Sequence, residues 1–165
     1  MKKKLLQWIS TNNKIKEINL LYKSSEHGDT SKIFFEKCGN KGPTFSLIET
    51  SKGRRFGGFS KVEWTDKKES IKIKDSEAFL FSLDNMEKYS ILKAEIAIGC
   101  YPYSNSLVYG NNSDGKGIYI RDKFFKNFGY EDHSSKAYDV PSDYCLSREN
   151  KFSVKEIEVY QVIFQ

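Results

Sequence analysis

The sequence predicts an α+β fold, mainly β, in which two antiparallel sheets form a β-sandwich flanked by short helices. Short apolar runs recur along the 165 residues with turn residues between them, which is typical of antiparallel strands. Ten tyrosines and twelve phenylalanines favour a β-rich core. The helical patterns gather near the N-terminus, as in domains whose helices lie apart from the sheets.

Residues 1–17 are predicted to form an N-terminal docking helix and a loop, within a single domain that spans residues 1–165. The helix covers residues 2–9, because four apolar side chains share one helical face, namely Leu5, Leu6, Trp8 and Ile9. A second helix is predicted from Ser31 to Cys38. Asp29 or Thr30 would cap its start, and Gly39 lies just beyond its end.

The central strands carry the most informative run in the chain, from residue 54 to residue 83. A strand is predicted over 44–50, and the next one, over 54–62, contains Gly57 and Gly58. Glycine inside a strand indicates a bulge, a bend or a close approach of the backbone. The run AFLFSL, with Phe79 and Phe81, is apolar at nearly every position and predicts a strand buried on both faces.

Further strands are predicted over residues 89–92, 95–101 and 117–122, and residues 126–150 are predicted to form a long irregular connection. The C-terminal run from Phe152 to Phe164 is the clearest strand in the chain. Its apolar positions change parity along the run, which requires a bulge or bend near Glu156.

Composition and motifs argue against several functions. The net charge of +5 includes only four arginines, and lysines alternate with acids, so no nucleic acid is expected as a partner. The three cysteines lack the spacing of a metal site or a disulfide framework and predict reduced, mostly buried thiols. Neither a signal sequence nor a membrane-spanning run is found, so a cytoplasmic location is expected.

Four local features could carry chemistry, and each also has a structural explanation. Cys38 lies where the helix dipole disfavours a thiolate. The pair Glu26 and His27 in a polar turn could exchange protons, but local hydrogen bonding explains it better.

Asp75 and Glu77 would point the same way in an extended segment, yet no second acidic cluster joins them. The remaining feature is the step Arg54-Arg55-Phe56, which could bind a nucleic-acid strand but suits a sandwich core equally well.

Several fragments in order resemble the TLDc domain family. They are LLYKSSEHGDTSKIFFEKCGNKGPTFSLIET, RRFGGF, VEW, SEAFLFSL, GIYI and FSVKEIEVYQV, and together they cover almost the whole chain. Their order and spacing carry the resemblance. It implies a β-sandwich and a structural family motif at Gly57, Gly58, Trp64, Phe79 and Phe81.

The resemblance also implies a non-enzymatic protein-interaction module that binds and regulates the V-ATPase, through its V1 subunits, and protects against oxidative stress. It carries over no catalytic residue, cofactor or metal. A structural subunit of a large cytoskeletal or ciliary scaffold is the alternative, and a cysteine-based redox enzyme is the third hypothesis. The first hypothesis implies association with an endomembrane V-ATPase, and the alternative implies association with the cytoskeleton. The candidate partner contacts are Lys67, Lys68, Lys72, Lys74, Glu26 and His27.

Overall fold

The protein folds into two antiparallel sheets of six strands each within the described residues, which confirms the predicted mainly-β sandwich. The computed structural model describes residues 2–10, 13–65, 67, 69–111, 117–134, 136–142 and 144–165. The first sheet contains β1 (Ile15–Lys23), β2 (Thr44–Thr50), β3 (Arg55–Ser60), β5 (Phe79–Ser82), β6 (Glu87–Ser90) and β12 (Val154–Phe164). Their spatial order is β1, β12, β2, β3, β5, β6, so β1 and β6 form its edges.

The second sheet lies against the inner face of the first. Its strands are β4 (Ile71–Ile73), β7 (Ile98–Cys100), β8 (Asn105–Tyr109), β9 (Ile118–Arg121), β10 (Gly129–Glu131) and β11 (Lys151–Phe152). Their order is β11, β10, β9, β8, β7, β4, and every pair is antiparallel. The lysine-rich stretch therefore ends in an edge strand, β4. Residues 112–116, between β8 and β9, lie outside the described residues.

Short helices flank the sheets, namely α1 (Lys2–Ile9), α2 (Ser24–His27), α3 (Ser31–Cys38) and α4 (Phe124–Asn127). Helix α3 has the predicted limits because both its ends are satisfied locally. The Thr30 hydroxyl accepts a hydrogen bond from the backbone N–H of Ile33 at 3.3 Å. At the other end, the N–H of Gly39 donates to the carbonyl of Phe35 at 2.8 Å. Both are the usual ways to satisfy free backbone groups at helix termini.

The first sheet is apolar on both faces, which explains why its strand at AFLFSL has no polar side. Leu80 points into the core between the sheets, whereas Phe79 and Phe81 point to the outer face. Helix α1 covers part of that outer face with Leu5 and Ile9, both buried. The predicted docking helix is thus part of a second apolar layer, the cluster on the outer face of the first sheet.

Gly58 lies where the two sheets approach each other closely, as predicted for a glycine inside a strand. A Cβ atom at this position would lie 2.5 Å from the ring of Tyr109 on β8. The Tyr109 hydroxyl reaches past the glycine and lies 2.9 Å from the Ser46 hydroxyl on β2. Gly57 faces the opposite way, where a Cβ would collide with the backbone of Ser46 and approach the ring of Phe81.

The change of parity in the C-terminal strand is produced by a bulge, as predicted. The register of β12 against β2 shifts between Val154 and Glu156. Val154, Ile157 and Val159 consequently all reach the core between the sheets, while Val162 joins the outer cluster. The bulge lets one strand serve the inner core along most of its length.

Three parts of the sequence-based prediction were wrong in detail. The first part of the strand predicted over 95–101 is a 3₁₀ turn at Ala94–Ile96. Strand β8 had not been predicted, although all five of its residues are buried. The irregular connection over 126–150 contains β10 and the end of α4. Each of these segments is short, and its conformation depends on neighbours distant in the chain.

We expect Gly58→Ala to destabilise the protein by about 1–3 kcal/mol, because the new methyl group would force the Tyr109 ring out of its position. Urea denaturation at neutral pH would measure the loss. Ser90→Ala, at an exposed position of β6, is the matched control and should stay within about 0.5 kcal/mol of the native protein. Equal stability of the two variants would show that the sheets tolerate a wider separation.

Candidate functional site

The predicted lysine contacts lie at the edge of the second sheet. Lys72 is the exposed central residue of β4, and Lys67 is exposed in the segment that precedes it. The Lys74 ammonium lies 3.6 Å from the Glu95 carboxylate, and both side chains are largely exposed. Lys68 lies outside the described residues. The lysines that can be placed therefore face solvent along one sheet edge, which is where a partner could reach them.

Glu26 and His27 lie elsewhere, on α2, which packs against β1 and β12 of the first sheet. The His27 Nδ1 accepts a hydrogen bond from the Lys23 N–H at 3.0 Å, and its ring stacks on Tyr22. The Glu26 carboxylate pairs with the Lys23 ammonium at 3.0 Å. His27 is thus bonded locally, and these two residues do not share an element with the lysines of β4.

Asp75 is an internal organiser of the connection that carries the lysines. Its Oδ2 accepts hydrogen bonds from the Lys61 N–H at 2.6 Å and from the Ser60 hydroxyl at 3.2 Å. Its Oδ1 accepts from the Glu77 N–H at 2.9 Å. Asp75 is buried, whereas Glu77 is exposed in a turn, so the two carboxylates do not point the same way. Asp75 therefore caps a loop.

A buried carboxylate in the segment 126–150 had no signal in the sequence. Glu131 is fully buried, with Oε1 2.9 Å from the Leu146 N–H and 3.1 Å from His133 Nε2. Its Oε2 accepts from the N–H and the hydroxyl of Ser147 at 2.6 and 2.5 Å. Burial alone raises the pKa of Glu131, but the hydrogen bonds from His133, Ser147 and Leu146 outweigh it and lower the pKa below its ordinary value.

The geometry around Glu131 indicates a structural role. Each carboxylate oxygen already accepts bonds from protein groups, and the carbonyl of Glu131 accepts from the Asn150 amide at 3.2 Å. These bonds attach the loop over 144–150 to β10. Its partners in the loop over 144–150 lie 15 or more residues further along the chain, so no local sequence pattern marked this cluster.

The arginine step next to the glycines is engaged within the protein. The Arg55 guanidinium donates to Asp84 Oδ1 at 3.0 and 3.2 Å, and the Arg55 N–H donates to Oδ2 at 2.8 Å. Arg54 Nε lies 3.5 Å from the same carboxylate. Phe56 is buried in the core. Neither a free guanidinium pair nor an exposed ring is left at this step to stack on nucleic-acid bases.

Two of the three thiols lie in environments that suppress reactivity. Cys38 and Cys100 are buried, and no disulfide involves either. Burial raises the pKa of Cys38 well above its ordinary value and raises that of Cys100 to about 11. Cys145 is only partly buried and contacts Asn85 and Tyr89. A thiolate at Cys38, which a redox mechanism would need, is strongly disfavoured at neutral pH.

The described residues offer neither a metal site nor a long apolar helix. They contain no group of three or more His, Cys, Asp or Glu side chains arranged to hold a metal ion. The longest helices among them, α1 and α3, have eight residues each, and a bilayer-spanning helix needs about 20.

The family model of the TLDc domain matches residues 1–163, so this chain belongs to the TLDc domain family. It is 30% identical to the MTOR-associated protein MEAK7 of Xenopus laevis over 155 residues, which is 87% of this chain and 31% of that protein. It is 36% identical over 64 residues to MEAK7 of Danio rerio, covering 39% of this chain and 14% of that protein. The chain thus matches less than a third of the length of these two relatives.

We expect Glu131→Gln to destabilise the protein by about 2 kcal/mol at pH 7, because the amide places a donor against the donors of Ser147. The folded pKa of Glu131 lies below the unfolded value near 4.5, so its stabilisation is present above that pH and is lost as the pH falls through the folded pKa. Urea denaturation from pH 7 to pH 3 should therefore show a shallower acid loss in the variant. Glu95→Gln, at an exposed position, is the control, and an identical acid slope in all three proteins would contradict the assignment.

Native iodoacetamide labelling should modify Cys145 first, because Cys38 and Cys100 are fully buried. Peptide mass spectrometry would follow each site with time at pH 7.5. We expect labelling of Cys38 and Cys100 only after unfolding in urea. Labelling of Cys38 in the folded protein as fast as that of free cysteine would revive the redox-enzyme hypothesis.

Proposed function

We propose that residues 1–165 act as a single non-enzymatic protein-interaction module that binds the V-ATPase through V1 subunits and regulates it. The observation that carries this proposal is the division of the molecule into a filled interior and an exposed lysine edge. The motif positions Gly57, Gly58, Trp64, Phe79 and Phe81 all belong to the two apolar layers. The polar side chains that could have formed a reaction centre are bonded within the protein.

The mechanism we propose is a shift of populations between states of the pump. A rigid sandwich that binds one assembly state of its partner more tightly than another favours that state by the difference in binding free energy. The exposed lysines at Lys67, Lys72 and Lys74, together with the net charge of +5, would steer the module to an acidic surface. Glu26 and His27 are proposed as a second contact, on α2.

The related proteins support an interaction role in general terms. Both are named as MTOR-associated proteins, and a protein named for an association is expected to act through binding. Protection from oxidative stress, in this proposal, would follow from regulation of the pump, because the buried thiols are poorly suited to react with oxidants. The proposed location is cytoplasmic, at endomembranes that carry the V-ATPase.

Capture of V1 subunits from cell lysate tests the proposal. The immobilised chain should retain V1 subunits at about 50 mM salt and release most of them at about 500 mM, because exposed charges are screened. Replacing Lys67, Lys72 and Lys74 together by Glu should reduce capture about tenfold. The matched control replaces Lys32, Lys37 and Lys126, which are exposed elsewhere, and carries the same change of charge.

Failure of the native chain to retain any V1 subunit at low salt would contradict the proposal. Recovery of the native protein with the detergent-insoluble cytoskeleton, and not with membranes, would instead favour the alternative of a structural subunit in a cytoskeletal or ciliary scaffold. Equal capture by the two triple variants would show that the edge at β4 is not the contact surface.

A further inference from the structure

A cleft of about 300 Å³ opens on the outer face of the first sheet, beside the C-terminal end of α1. Its floor contains the stacked rings of Phe59 and Phe79, whose centroids are 5.1 Å apart. Trp8 of α1 and Phe164 of β12 form its walls. This volume is at the lower end of the range for ligand pockets and suits a single apolar side chain.

Lysines surround this aromatic cleft. The Lys88 ammonium lies 4.4 Å from the centroid of the Phe79 ring, and that of Lys61 lies 5.0 Å from the Phe164 ring. On the helix side, the Lys4 ammonium lies 5.6 Å from the Trp8 ring. Five such cation–π contacts occur in the described part of the chain, and these three all involve rings that line this cleft.

The charge around the cleft is not balanced by the protein itself. Lys61 pairs with Glu77 at 3.4 Å, but no carboxylate among the described residues lies within ion-pair distance of Lys88 or Lys4. Partial burial lowers the pKa of Lys88, so its ammonium group would gain from a nearby anion. Lys88 belongs to the edge strand β6, where a ligand can approach from the side.

We infer that this cleft binds an acidic peptide segment of a protein partner, with an apolar side chain between the partly exposed rings of Trp8 and Phe164 and flanking carboxylates on Lys88 and Lys4. The inference rests on the proposed role as a protein-interaction module and assigns to it a second surface, on the opposite sheet from β4. Trp8 and Phe164 supply apolar area for burial, and the lysines supply the charge that selects an acidic sequence.

The same observations favour a peptide over the other polyanions. A flat membrane surface could reach Lys4, but the rings at the floor lie behind Trp8 and Phe164 in a concave cleft. A nucleic-acid strand needs ring faces on which to stack, whereas Phe59 and Phe79 stack on each other and Lys88 covers Phe79.

The test is direct binding of a defined peptide to the purified 165-residue chain. A fluorescein-labelled peptide of sequence Glu-Asp-Phe-Glu-Leu-Asp should bind, with a rise in anisotropy that fades between about 50 and 500 mM salt. The matched amide peptide Gln-Asn-Phe-Gln-Leu-Asn should bind at least about fivefold more weakly. Binding of an unlabelled acidic peptide should also change the tryptophan emission, and Trp8→Phe should abolish that change because Trp64 is buried.

Variants of Lys88 then locate the contact. Lys88→Gln should weaken binding of the acidic peptide about fivefold, and Lys88→Arg, which keeps the charge, should restore it. Lys126→Gln, at an exposed position of α4, is the control for loss of a lysine and should bind as the native chain does. An unchanged midpoint of thermal unfolding would show that each variant is folded.

The outcomes separate this inference from the proposed V-ATPase role, because the test contains no pump subunit. Equal binding of the acidic and amide peptides, or of the native and Lys88→Gln chains, would overturn it even if V1 subunits are captured. Tighter binding of phosphatidylserine vesicles or of an oligo-dT strand than of the acidic peptide would also overturn it. Peptide binding without V1 capture would support the cleft while contradicting the proposed partner.

Discussion

The contact between the Tyr109 ring and Gly58 determines how the two sheets meet. An aromatic ring from one sheet enters the space that a side chain on the other would occupy, and its hydroxyl lies 2.9 Å from the Ser46 hydroxyl beyond. The same ring packs edge-on against Trp64 and Tyr138, at 5.7 and 6.4 Å between centroids. Because one ring links both sheets and the connection before β4, the interior has little freedom to adopt another arrangement.

This dense interior directs function to the surface. Asp75 and Glu131, two buried carboxylates, are committed to hydrogen bonds that attach loops to strands. Arg54 and Arg55 are committed to Asp84. Such groups resemble reaction centres in a sequence, but here they stabilise connections. The surfaces that we propose for binding are the lysine edge at β4 and the aromatic cleft beside α1, on different sheets of the sandwich.

The structural elements that could be predicted were those with local causes. Helix α3 was located by the capping residue Thr30, and the bulge in β12 by the parity of its apolar positions. Strand β8 was missed because its five residues are all buried and show no alternation of apolar and polar positions. The strand predicted over 95–101 is too long, because its first residues form a 3₁₀ turn. A 3₁₀ turn and a strand share the same short apolar pattern.

The sequence by itself determined the family, the mainly-β sandwich and the glycine positions where the backbone must approach a neighbour closely. Only the tertiary structure decided that Tyr109 is the neighbour of Gly58, that Glu131 is bonded to Ser147, and that Lys88 lies over Phe79 at the cleft beside α1. The reason is physical. Periodicity and caps report on contacts within a few residues, whereas the cleft and the buried carboxylate arise from segments that are brought together only when both sheets pack.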